Sequence, residues 1–210
     1  MYTATRQELL EVCRLVYDRH LTNAAGSNFS ARASERTFYV TPTGNAKRNR
    51  LNMTPDDLLL MDLNDQILDG KGRCSQSWPT HRRLYQAFEC VGAVIHAHPR
   101  LATTFACQKK PMPPLLDAMK KYAPVPVLPR DLKVDSPEFA EAIVEAFRVQ
   151  GPSFVKVGGA VFYPYHGVLV AAPTLEDAFD LLERIEYNAT AILGLALLEL
   201  GSGANVIPGM

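Results

Sequence analysis

The sequence has little of several things that mark common functions. Its four cysteines, Cys13, Cys74, Cys90 and Cys107, form no CxxC pair and are too sparse for the disulfide framework of a secreted domain. They read as free thiols in a reducing compartment. An excess of charge is missing as well. The 22 Lys and Arg balance the 22 Asp and Glu, so there is no overall field to hold a nucleic acid or an acidic membrane surface. Long apolar runs are absent. The most apolar segment, ATAILGLALLEL, is too short to span a bilayer and carries Glu199 near its end. The opening MYTATRQELLEVCRL has no basic stretch followed by an apolar one. The expectation is a cytoplasmic protein with neither a nucleic-acid nor a membrane partner.

What is present is enough apolar material, 47% of 210 residues, to bury a full core in a single domain, residues 1–210. Leu9, Leu10, Cys13, Val16 and Tyr17 recur at helical steps and predict an opening helix over Thr5 to His20. LTNAAGSNFSAR reads as a turn, TFYVT as a strand and TPTGNAKRN as a second turn. LLLMD is a further strand, with Asn64 and Asp65 as hairpin residues. SWPTHRRLYQAF reads as a helix with Pro79 in its first turn, VGAVIHAH as a strand, and PRLATTFAC as helical again. A long proline-rich connection follows, with one helical turn around LLDAM. Ser136 and Pro137 open a helix that Gly151 ends. The strands GGAVFYP and HGVLVAA precede a C-terminal helix capped by Thr174 and Asp177. Strands that mostly neighbour one another predict an α/β layered sandwich, with a mainly antiparallel central sheet flanked by helices.

The chemistry gathers on few residues. His96 and His98, in AVIHAHPR, stand at i and i+2 of a predicted strand and therefore project from one face. A catalytic zinc takes three protein ligands, and the remaining histidines are His20, His81 and His166. His166 opens a strand between Pro164 and Gly167, a position like that of the first pair. His81 lies on a predicted helix, where a ring nitrogen could bond a backbone carbonyl. At this point a metal site at His96, His98 and His166 stands beside a plainer reading, satisfied polar groups at strand ends. GSNFS around Asn28, TPTG around Thr43 and Gly44, and CSQS around Ser75 and Gln76 are turns whose N–H groups and hydroxyls suit a phosphate. Each is also an ordinary turn composition.

Taken together, GSNFSAR, YVTPTG, SQSWPTHRRLYQAF, AVIHAHPRLATTFA and YHGVLVAAPTLEDAF resemble, in order and spacing, the zinc-dependent class II aldolase/adducin family over nearly the whole chain. The resemblance implies that His96, His98 and His166 bind Zn²⁺ or another divalent ion. It implies that Asn28, Thr43, Gly44, Ser75 and Gln76 bind substrate or its phosphate, and that the chain assembles as a homotetramer with sites at subunit interfaces. It also implies a lyase acting on a small sugar phosphate or hydroxy-ketone through enediolate stabilisation. Dehydratases and decarboxylases of the same fold, and a non-catalytic adducin-like domain, are the alternatives. The chain departs from the pattern at Ser77, where the family's aldolases carry a glutamate and its epimerase an aspartate. A serine hydroxyl cannot replace that carboxylate as a base near neutral pH. Asp117, close to a catalytic position of the family, is the substitute carboxylate the resemblance suggests.

Overall fold

The computed structural model describes residues 2–75, 77–108, 110–134 and 136–201. Helix α1 (Tyr2–Asp18) forms where its spacing predicts, burying Leu9, Cys13 and Val16. Seven strands then build one sheet in the order β4-β3-β2-β1-β5-β7-β6. They are β1 (Asn28–Arg32), β2 (Thr37–Val40), β3 (Leu59–Asp62), β4 (Ile67–Asp69), β5 (Ala93–Ala97), β6 (Gly159–Tyr163) and β7 (Gly167–Ala172). Every pairing between them is antiparallel. The remaining helices are α2 (Asn45–Asn49), α3 (Trp78–Ala87), α4 (Ala102–Ala106), α5 (Pro137–Arg148), α6 (Pro152–Val157) and α7 (Leu175–Gly201).

Alternation along each strand divides the core in two. Phe29, Ala31, Tyr39, Ala93, Ile95, Phe162, Val168 and Val170 face α1, α4 and α7. Phe38, Val40, Met61, Val94, Val161, Tyr163 and Leu169 face α3, α5 and α6. The result is the expected three-layer α/β sandwich. The C-terminal helix is opened by Thr174, whose hydroxyl accepts from the Asp177 N–H at 3.0 Å. Ser136 caps α5 by accepting from the Phe139 N–H at 3.1 Å, and Gly151, at φ 68°, follows it in the left-handed region. Among the described residues no helix is long and apolar enough to cross a membrane.

The structure departs from the sequence reading at three places. NFSAR is a central strand rather than part of a turn: β1 pairs with β2 on one side and β5 on the other. Its Asn28 and Ser30 look turn-like but lie buried on the face that carries the histidines. Asn45–Asn49, expected as turn, closes a short helix behind Gly44 at φ 79°. PSFVKV, whose short apolar pattern marks no element in the sequence, forms α6, with Pro152 in its first turn and Phe154 buried.

Candidate metal centre

β5 positions the first two imidazoles. His96 is the last-but-one residue of that strand, 2% exposed, between Asn28 of β1 and Leu169 of β7. His98 stands just beyond the strand end on the same face. His166 enters from the tight β6–β7 connection, where its N–H donates to the Tyr163 carbonyl at 3.1 Å. Tyr165 in that turn holds φ 57°, a left-handed conformation that bulky side chains rarely adopt. The ring centroids form a near-equilateral triangle: 4.9 Å from His96 to His98, 5.0 Å from His96 to His166 and 4.9 Å from His98 to His166. One nitrogen from each ring lies within 4.8 Å of the others.

The protonation states suit cation binding. His96 Nδ1 lies 3.1 Å from the Val168 carbonyl oxygen; a carbonyl only accepts, so Nδ1 carries the proton and Nε2 keeps its lone pair. The ring also stacks on Tyr163 at 4.7 Å, which fixes its plane. Burial pushes its pKa well below the usual value, and the neighbouring His98, His166 and His81 push it further. His98 is lowered to about 4, first by burial and then by His166. The Gly26 backbone is the one influence that favours a charged His98 ring, yet neither of its buried nitrogens completes a hydrogen bond. An imidazole left so costs about 1–3 kcal/mol for each unpaired group. Gly167 holds the arrangement tight: a Cβ there would lie 2.4 Å from the Ala97 carbonyl oxygen and 2.5 Å from His98 Cδ2. His98 and His166, with Thr22, Asn23, Arg100 and Tyr165, line an open cavity of about 470 Å³.

The other residues singled out in the sequence fall into two groups. Asn28 lies directly across from His96, with its Oδ1 buried and unpartnered. The Thr43 and Gly44 turn is tied to the following one, since the Thr43 N–H donates to the Arg73 carbonyl at 2.9 Å and Pro42 bridges Cys74. Thr41 joins both to β1: its hydroxyl accepts from the Phe29 N–H at 3.1 Å. Ser75 accepts from the Ser77 N–H at 3.4 Å, and Ser77 caps α3 with its carbonyl, which accepts from Thr80 and His81. Gln76 lies outside the described residues. Asp117 is not brought to the cavity. Its side chain is 92% exposed and pairs with Lys120 at 2.5 Å.

For His81 the sequence offers two roles, a metal ligand or a helix residue whose ring nitrogen bonds a backbone carbonyl. It is fully buried, and Ser30 Oγ, not a backbone carbonyl, takes its Nδ1 at 2.8 Å; the same hydroxyl meets Tyr85 OH at 2.8 Å. Arg32 meanwhile donates to the Tyr85 and Phe88 carbonyls. Two residues of strand, about 6.6 Å, thus match about four residues of helix, about 6 Å. Helix α3 runs alongside β1 in the same direction. Ser30, unlike Asn28, was not singled out in the sequence, although the alternation N-F-S-A-R, polar on one face and apolar on the other, carries the signal.

The family description "Class II Aldolase and Adducin N-terminal domain" matches residues 7–193. An L-fuculose phosphate aldolase of Methanococcus maripaludis is 27% identical over 183 residues, which are 85% of this chain and 91% of that protein. A methylthioribulose-1-phosphate dehydratase of Marinobacter nauticus is 30% identical over 105 residues, about half of each chain. Among solved structures, an L-fuculose 1-phosphate aldolase superposes with a TM-score of 0.79 at 26% identity, covering 98% of this chain and 91% of that one. The l-fuculose-1-phosphate aldolase of Thermus thermophilus gives 0.78 at 25% identity, covering 97% and 98%. The chain belongs to the class II aldolase and adducin family.

Proposed function

We propose that this protein is a divalent-metal-dependent lyase acting on a small phosphorylated hydroxy-ketone. The observation that carries this reading is His98, whose two ring nitrogens are buried and unpartnered within a triangle of imidazoles. A cation removes the cost of that arrangement, and the donor set fits: imidazole suits zinc and its transition-metal neighbours. His96, His98 and His166 would hold the ion, Zn²⁺ or another divalent metal. When bound, it would polarise a carbonyl and stabilise the enediolate that forms as a C–C bond breaks or a proton leaves.

The chain's own residues supply the rest. The Val168 carbonyl fixes the His96 tautomer, and Tyr163 fixes its plane. Asn28, Thr43, Gly44, Ser75 and Gln76 would bind substrate oxygens and phosphate, since the turns at Thr43 and Ser75 are tied together beside β1. Ser77 takes the family carboxylate's place and contributes a hydroxyl to binding. Asp117 is the carboxylate we assign to proton transfer. Because its side chain is exposed and does not line the cavity of its own chain, it would act on the site of a neighbouring copy in a homotetramer. Residues 1–210 as one cytoplasmic domain belong to the same reading.

Dehydration of a sugar phosphate is the second reading, favoured by Ser77 itself and by the dehydratase relatives. Incubating the zinc-loaded protein with short ketose phosphates, while following aldehyde release and loss of water, separates the two. Aldehyde release marks the aldolase, water loss the dehydratase, and neither outcome with any substrate overturns the enzyme reading. Asp117→Asn should lower turnover by about 100-fold, within the usual range for an acid–base group, without changing the melting temperature. Unchanged turnover removes Asp117 from the mechanism.

A further inference from the structure

The buried network around His81 holds more than packing requires. Tyr85 is buried, and burial raises its phenol pKa well above the ordinary value, so it keeps its proton. Its hydroxyl bonds Ser30 Oγ at 2.8 Å. A buried O–H that meets one acceptor donates to it. Ser30 Oγ therefore accepts the hydrogen bond from Tyr85 O–H and donates its own O–H to His81 Nδ1, 2.8 Å away. With Nδ1 accepting, the neutral imidazole must carry its proton on Nε2.

That Nε2–H has no partner, although the residue is fully buried. Two residues before Ser30 on the same face of β1, and paired with His96, Asn28 Oδ1 is an unpartnered acceptor on a residue 6% exposed. His81 is also near enough to His96 to disfavour protonation of that ring. An unpaired donor and an unpaired acceptor beside the same histidine complement a hydroxyl, which accepts from one and donates to the other. Along α3, His81 stands one helical turn beyond Ser77, and its N–H bonds the Ser77 carbonyl at 3.4 Å. The helix thus brings a neutral donor to the region where the family's aldolases bring a carboxylate.

We infer that His81 is a substrate-contacting residue whose Nε2–H, set by the Tyr85–Ser30 relay, is held for a hydroxyl oxygen of the hydroxy-ketone bound against Asn28 and His96. The inference rests on the lyase reading above, with the relay as its separate support. It assigns no proton transfer to His81; the imidazole binds and orients, and stays neutral throughout.

Nitrogen NMR of the histidine-labelled protein tests the relay directly, with or without metal. The expected result is a neutral Nε2–H tautomer for His81 from pH 5 to 9; a neutral Nδ1–H tautomer, or protonation within that range, overturns the inference. The ligand arm uses zinc-loaded protein and dihydroxyacetone phosphate, the smallest phosphorylated hydroxy-ketone, and reads the exchange of its carbon-bound proton with D2O. His81→Leu should slow that exchange roughly 30-fold, the effect of one lost buried hydrogen bond, at unchanged zinc content and melting temperature. His81→Gln, which can keep a donor near the Nε2 position, should recover most of the rate. Equal losses in the two variants would mean that the side chain only fills space, and would overturn the role. Should wild-type protein neither exchange this probe nor turn over any ketose phosphate, the lyase reading fails, and the tautomer measurement still decides the state of His81.

Discussion

The two faces of the sheet bury residues of different kinds. The face toward α1, α4 and α7 is apolar at every sheet position it buries, with Phe29, Ala31, Ala93, Ile95, Val168 and Val170 in one cluster. The opposite face carries apolar residues at its periphery and, near its centre, the buried Asn28, Ser30, His81 and His96. The same five residues of β1 serve both: Phe29 and Ala31 point one way, Asn28 and Ser30 the other. One face stabilises the fold, because burying apolar surface is favourable whatever is bound. The other leaves polar atoms unpaired, at Asn28 Oδ1, Thr80 Oγ1, His81 Nε2 and both nitrogens of His98, and so stores a demand for ligand.

The sharpest way to separate the faces is His98→Ala. It should abolish metal retention and reduce activity by about 1,000-fold or more, since three ligands are the working minimum of such a site. The metal-free variant should melt no lower than the metal-free parent, because two unpaired buried nitrogens are removed with the ring. A large loss of metal-free stability would show that His98 is a structural residue after all. The converse substitution, Phe29→Ala, should destabilise by about 3–5 kcal/mol through lost burial and a residual cavity, while the protein that remains folded still binds metal at full stoichiometry. Loss of metal without loss of stability would erase the distinction between the faces.

Gly167→Ala is expected to act on both properties at intermediate size. The added methyl meets the Ala97 carbonyl and the His98 ring, so overpacking should cost about 1–3 kcal/mol and metal affinity should fall with the displacement of His98. Calorimetry and metal titration of the variant check both, and an unchanged affinity would show that His98 can yield without cost. Mild acidification should have the smallest effect. Burial lowers His81 to about 3, and burial with His166 lowers His98 to about 4, against about 6.5 in an unfolded chain. Between these values the unfolded state binds more protons. Stability of the metal-free protein is therefore full above pH 6.5 and is lost progressively as pH falls toward about 4 and then about 3. Urea unfolding from pH 7 to 4 should show a falling midpoint; a flat profile would mean that these rings are not held neutral.

The sequence made most of the layered architecture legible, because α1, α5 and α7 have apolar periodicity and the caps at Ser136 and Thr174 mark where helices begin. It made the histidine trio legible for a similarly local reason: i and i+2 on a strand share a face, and Pro164 and Gly167 mark a strand edge at His166. β1 was not legible as a strand. Its Asn28 and Ser30 have turn chemistry that masks the N-F-S-A-R alternation, and the pairing with β2 and β5 places both on the face that carries the histidines. His81 was open for the same reason, since its partner Ser30 is 51 positions away in the chain and Ser30's other partner Tyr85 is 55 away, and the three become a relay only when α3 lies along β1. Asp117 came from the family likeness alone, and the fold of one chain leaves its side chain in solvent, paired with Lys120.

The central claim is that the polar face is completed by a metal ion on His96, His98 and His166. Elemental analysis of freshly purified protein, followed by zinc titration of chelator-stripped protein and of His98→Ala side by side, tests it most directly. The account predicts about one divalent ion per chain in the parent, recovery of that stoichiometry on titration, and none in the variant. A parent protein that holds no ion and takes up none, or a variant that binds as the parent does, would contradict it.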